Sequence, residues 1–183
     1  QPGFMPSVGY DMYLKLLEEA VLKEQGQEAP TRTECAANLA VSASVPDKYV
    51  PSPEQRMDLY RRIAALRNEE DADDLVDELI DRYGEPPRPV NNLISVALMR
   101  SQAAQADITD IEQKNGALLF TIPRFDLRQV SALCGGEKYK GRLLFSAGDK
   151  PYLSLKLKKG EDALRAARGL VADYAAGLER EPA

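Results

Sequence analysis

Residues 56–87 constrain this chain more than any other segment, because they end in a stretch that reads at once as a helix, as its end and as a charged surface. Leu75, Val76, Leu79, Ile80 and Tyr83 recur at helical spacing on one stripe, and Asp74, Asp77, Glu78 and Asp81 fall on the opposite one. Asp71 is the expected N-cap. Gly84 follows the last periodic residue as a C-cap, and Pro86 and Pro87 bar any continuation. The apolar stripe calls for burial in a packed domain, which leaves the acidic side outward as a candidate docking surface.

Neighbouring segments extend the helical pattern. Pro53 after Ser52 predicts the first turn of a preceding helix, with Met57, Tyr60, Ile63, Ala64 and Arg67 along it. Pro89 opens a following one, whose stripe of Val90, Leu93, Ile94, Ala97, Leu98 and Ala104 is wide enough to be core. Upstream, residues 10–23 carry Tyr13, Leu14, Leu16, Leu17, Ala20 and Val21 at helical spacing from a start near Ser7 or Asp11, and Gly26 and Pro30 bracket a loop. Residues 34–44 instead alternate, with Cys35, Ala37, Leu39, Val41 and Ala43 on one side and Pro46 as the stop, which predicts a strand.

After Asp107 the pattern changes to short alternating runs. Residues 108–113 and 117–121 flank Lys114-Asn115-Gly116, and Asn-Gly between apolar runs predicts a hairpin. Residues 126–133 read as a short helix ended by Gly135-Gly136, and residues 142–146 and 152–157 as strands around Gly148-Asp149. A last helix over 161–178 turns Leu164, Ala167, Leu170, Val171 and Tyr174 inward. The expected fold class is α+β, with N-terminal helices followed by a small, mainly antiparallel sheet on which helices pack. The expected domain organisation is a linker and helix over 1–30 and one core over 31–183.

Composition supports a globular chain: 44% of residues are hydrophobic and 29% charged. No apolar run nears the roughly 18 residues that cross a bilayer, and the basic-then-apolar layout of a signal peptide is missing, so cytoplasmic residence without a membrane partner is expected. Cys35 and Cys134 have no CxxC neighbour and read as buried free thiols. The net charge of −5 argues against a primary task of holding nucleic acid. Its distribution is polarised: residues 69–85 hold nine carboxylates against one Arg, and residues 138–168 hold nine Lys or Arg against three acids.

Catalytic grammar is sparse in the sequence. The chain has no histidine, which removes Ser-His-Asp and Cys-His arrangements and the usual zinc sites. Gly135, Gly136 and Gly141 near Lys138 and Lys140 lack the order of a phosphate-cradling loop. Asp71, Asp73 and Asp74 begin like a calcium loop, but Leu75 stands where an oxygen ligand is needed. A magnesium or paired-carboxylate site on Asp73, Asp77 and Asp81 stays open as an alternative, that of a small metal-dependent enzyme. Tyr139, Phe145 and Tyr152 among basic residues suggest a stacking sheet for single strands, yet they alternate as core residues do.

Several short motifs stand in register. Gly9-Tyr10-Asp11-Met12-Tyr13, Leu16-Leu17-Glu18-Glu19-Ala20, Pro46-Asp47-Lys48-Tyr49-Val50, Arg56 with Leu59-Tyr60-Arg61-Arg62, and Glu78-Leu79-Ile80-Asp81-Arg82-Tyr83-Gly84 with Pro87 follow one another. In order and spacing they resemble the C-terminal domain of the bacterial transcription-repair coupling factors (Mfd), over about the first 110 residues, with the remainder similar in layout. Gln1-Pro2-Gly3-Phe4-Met5 resembles the tail of that family's motor region, with Pro2 and Phe4 as departures.

The resemblance implies a regulatory part of a larger machine. In that family the whole protein is an ATP-dependent translocase on double-stranded DNA that displaces stalled RNA polymerase and recruits UvrA. ATP and magnesium belong to the motor, so no cofactor, metal or catalytic residue is expected in this chain. The resemblance further implies that the C-terminal domain folds back on the N-terminal UvrA-binding module and restrains the motor until polymerase is engaged. Glu78 and Asp81, with Arg82 beside them, match family positions that meet arginines and an aromatic of that module; Asp74 and Asp77 extend the same face. A bidentate carboxylate–arginine contact is directional and charge-assisted, whereas the bland alternative is an Arg82–Glu78 pair on a solvated helix. A stand-alone adaptor using the acidic helix is the second reading. Arg56, Tyr60 and Tyr49 are assigned to packing and to a turn rather than to binding.

Overall fold

The computed structural model describes residues 35–179, which group into two compact units. The helix expected over 10–23, the loop after it and the boundary near residue 30 lie outside the described residues.

The first unit, over residues 41–101 of the described chain, is helical. Helix α1 (Pro53–Ala64) starts as expected, with the Ser52 hydroxyl accepting from the Gln55 amide and Pro53 in the first turn. Its buried residues are Leu59 and Ile63; Met57 and Tyr60 are half-buried, and Arg67 lies beyond the helix end. Tyr60 turns its hydroxyl to accept from the Val45 amide at 2.9 Å.

Helix α2 (Glu69–Tyr83) is capped by Asn68 instead of the expected Asp71. Asn68 Oδ1 accepts from the Asp71 amide at 2.8 Å, and Asp71 Oδ2 accepts in return from the Arg67 amide at 3.4 Å. Asp71 thus serves as the third-position acid of a reciprocal cap, and Asn-x-x-Asp was its sequence signature. Asn68→Ala should cost about 1 kcal/mol of unit stability, read as a lowered urea midpoint. Gly84 closes the helix at φ +86°, where a side chain would be strained, and its amide donates to the Ile80 carbonyl. Ala72, Leu75 and Leu79 form the buried stripe, with Val76 and Tyr83 half-buried. Ile80, placed on that stripe by periodicity, is 38% exposed, because the buried contact is only one residue wide at this turn.

Helix α3 (Arg88–Gln105) begins one residue before Pro89. Val96, Met99 and Ala103 are buried in addition to Val90, Leu93, Ile94, Ala97 and Leu98, while Ala104 is half-buried. The helix is therefore enclosed around most of its circumference, which a single stripe understates.

The second unit comprises residues 35–40 and 102–179 of the described chain. Its sheet contains β1 (Ala36–Asn38), β2 (Asp110–Lys114), β3 (Ala117–Thr121), β4 (Leu143–Ser146) and β5 (Tyr152–Lys156), in the order β1-β2-β3-β5-β4. All pairs are antiparallel except β1 with β2. The Asn-Gly hairpin forms as expected: Asn115 at φ 52° and Gly116 at φ 76° make the left-handed pair that matches strand twist.

The strand expected over 34–44 shrinks to three residues. Only Ala36–Asn38 have a partner strand, in register with Asp110–Glu112; beyond them the Ala40 amide turns to Gln113 Oε1. Cys35, Ala37 and Leu39 are buried as expected, whereas Val41 and Ala43 are half-buried. Ala37, Ile111, Phe120, Leu153 and Leu155 line the inner face of the sheet.

Helices α4 (Leu127–Gly135) and α5 (Ala163–Glu179) complete the α+β fold. Asp126 caps α4 by accepting from the Gln129 amide. Leu164, Ala167, Leu170, Val171 and Tyr174 are buried as their spacing predicts. The Gln129 side chain donates to the Asp173 carbonyl, and a Cβ on Gly177 would overlap its amide, so glycine permits this approach of α4 to α5. Phe145 and Tyr152, expected as core, are each 40% exposed: Phe145 lies on the edge strand and Tyr152 on the outer face of β5, leaving Tyr139 as the buried member of that trio.

Candidate acidic docking site

The expected clamp residues sit on α2, a helix fixed by a cap at each end and by Leu75 and Leu79 beneath. Asp74, Asp77 and Asp81 are exposed, and their spacing of three and four places them on one stripe spanning about 10 Å. Among the described residues none of these three carboxylates has a cationic partner. Uncompensated like charges on a rigid helix attract a cationic surface and repel an anionic one.

Glu78 departs from that picture. It is half-buried and forms an ion pair with Arg62 of α1, so it ties two helices together at the margin of the exposed stripe. Arg82 is exposed, and its guanidinium lies over the Tyr83 ring, 5.2 Å from the centroid, instead of pairing with Glu78. In the sequence Arg62 stands within the Leu59-Tyr60-Arg61-Arg62 motif without a pairing role; the physical signal for one is a basic Arg61-Arg62 helix end beside an acidic helix.

The end of α2 is buttressed by the loop before α1. Tyr49 and Tyr83 meet with ring centroids 5.7 Å apart, the Tyr49 hydroxyl donates to the Gly84 carbonyl at 2.8 Å, and the Tyr83 hydroxyl donates to Gln55. Burial first, then the Glu85 carboxylate, raises the Tyr49 pKa. Arg56 donates to the Val50 and Pro51 carbonyls and stands 3.5 Å from Asp47. Tyr49, Arg56 and Tyr60 are thus structural, as expected.

No group of three or more acidic or Cys side chains among the described residues is arranged to hold a metal ion. No helix there is long and apolar enough to cross a membrane. Cys35 is buried, but Cys134 is only half-buried, and burial raises the Cys134 thiol pKa.

A second polar cluster lies in the sheet-bearing unit. Lys138 Nζ reaches Asp173 Oδ2 at 2.7 Å, and the Tyr139 hydroxyl donates to the same oxygen. Burial pushes the Asp173 carboxyl up, yet the hydrogen bonds from Lys138 and Tyr139 prevail and hold its pKa below the ordinary value. A depressed folded-state pKa gives stability that is complete above the ordinary carboxylate range and is lost as pH falls through the folded value. The urea midpoint of this unit should therefore drop below about pH 4, and drop less in Asp173→Asn.

The fold is α+β, and α2 carries an exposed acidic stripe. The TRCF domain family matches residues 39–130, about half the chain. A transcription-repair-coupling factor of Bacillus subtilis is 33% identical over 151 residues, covering 82% of this chain and 12% of the relative. That of Escherichia coli is 34% identical over 127 residues, covering 66% of this chain and 11% of the relative. A crystal structure of the C-terminal domain of a transcription-repair coupling factor superposes with a TM-score of 0.69 at 21% identity, over 81% of this chain and 95% of that one, a likeness of fold. The chain belongs to the TRCF domain family and corresponds to a C-terminal domain of the transcription-repair coupling factors. It spans about an eighth of the length of the curated relatives it matches.

Proposed function

We propose that this chain is the regulatory, non-catalytic C-terminal domain of a cytoplasmic transcription-repair coupling factor. Its α2 carboxylates dock on arginines of the N-terminal UvrA-binding module of the same protein. That contact masks the module and restrains the parent's ATP-driven translocation on double-stranded DNA until stalled RNA polymerase is engaged. The observation that carries the reading is the stripe Asp74, Asp77 and Asp81, exposed and without a cationic partner among the described residues, on a doubly capped helix. Such a polar surface suits a reversible clamp. Within one chain the effective concentration is high, so a weak contact holds closed and still yields to a competing partner.

Calorimetric titration of this chain with the UvrA-binding module tests it. Saturable binding is expected, weakened at least tenfold in Asp77→Lys, Asp81→Lys, and in the full-length protein the same pair should release UvrA binding. Equal affinity in the variant and the parent would refute the acidic stripe as the clamp.

A further inference from the structure

The second unit exposes apolar side chains where its sheet ends. Strand β4 is an outer strand of the sheet and reads Leu143-Leu144-Phe145-Ser146, without a charge or proline. Leu144 is 70% exposed and Phe145 40% exposed. Registry with Leu153 puts Phe145 on the inner-face side, where its ring meets Phe125 at 6.0 Å, and registry with Ser154 puts Leu144 on the opposite face. An apolar shelf therefore flanks each side of the strand edge.

The edge also offers backbone groups. The Lys156 amide donates to the Arg142 carbonyl, so by antiparallel alternation Leu144 and Ser146 bond to β5 while Leu143 and Phe145 direct their amides outward. The Leu143 amide is taken by the Tyr139 carbonyl. Among the described residues the Phe145 amide and carbonyl and the Leu143 carbonyl are left for an added strand.

Charge selects the occupant. Between Lys138 and Gly160 the chain carries seven Lys or Arg against the single acid Asp149. Lys138 and Arg142 are satisfied by Asp173 and Glu161. Lys140 before the strand and Lys150 after it are exposed and, among the described residues, without a partner. We propose that the β4 edge binds an extended protein segment whose apolar residues alternate and whose ends are acidic, adding it as a sixth strand. A nucleic acid would use the lysines but would leave the outward amide and Leu144 unused, so the peptide is favoured. The β4 edge belongs to the second unit and the α2 stripe to the first, and the test of this proposal does not depend on that reading.

The probe is a synthetic fluorescent peptide alternating Val and Thr between terminal Glu pairs, titrated into the whole chain by anisotropy. Saturable binding is expected, with slowed hydrogen exchange at the Phe145 amide. Lys140→Glu, Lys150→Glu should weaken it at least tenfold and favour the same peptide ended in Lys. Leu144→Glu, at an exposed position that leaves the fold intact by circular dichroism, should weaken it by a similar factor. Absence of binding, binding without protection of the Phe145 amide, or displacement of the peptide by a single-stranded oligonucleotide at lower concentration would each overturn the proposal.

Discussion

Phe120→Ala should remove about 3–5 kcal/mol from the stability of the sheet-bearing unit. Phe120 is fully buried on β3, and its registered neighbours on the inner face are Ile111 of β2 and Leu153 of β5, themselves buried. Truncation removes the largest side chain at the middle of that face and leaves a cavity bounded by paired backbone, which cannot collapse without breaking the ladder. Urea denaturation gives the magnitude. Residue-resolved hydrogen exchange gives the location, since amides of β2, β3 and β5 should lose protection together. Leu144→Ala, at a side chain 70% exposed on the same sheet, should stay within about 0.5 kcal/mol of the parent. Equal effects at the two positions would mean that the inner face does not carry the unit.

Local grammar made much of this architecture readable. Asn115-Gly116, Ser52-Pro53 and Gly84 each fix backbone by short-range sterics or hydrogen bonds, and each acts where the sequence placed it. The buried set of α5 was equally legible, because one face of that helix alone meets the core. Errors arose where burial depends on a distant partner. Residues 41–44 alternate like a strand, but β1 pairs with β2 only as far as Asn38 opposite Glu112, and alternation without a partner gives no ladder. Ile80 has the right spacing for burial yet is 38% exposed, at the edge of the buried stripe of Ala72, Leu75 and Leu79. Phe145 and Tyr152 look like core because they are aromatic and alternate, yet edge position and outer face override composition.

The same distinction separates two carboxylates that look equivalent in the sequence. Asp81→Lys should weaken binding to an arginine-bearing partner by about 10–100-fold, the equivalent of losing one charge-assisted contact of about 1.5–3 kcal/mol. It should leave thermal stability unchanged, because Asp81 is exposed and has no partner in the described residues. Glu78→Lys should act on both quantities. It replaces the Arg62 ion pair, whose side chains are each 42% exposed, with two like charges, at a cost of about 1 kcal/mol in the helical unit. Arg62→Ala provides the separation: it removes the interhelical pair while leaving both carboxylates in place. A fall in melting temperature without a loss of affinity in Arg62→Ala, set beside the converse in Asp81→Lys, would assign Glu78 to holding α2 against α1 and Asp81 to the docking face. If Arg62→Ala instead weakens binding as much as Asp81→Lys does, the partner reads the orientation that Glu78 imposes on α2, and the ion pair becomes part of the clamp.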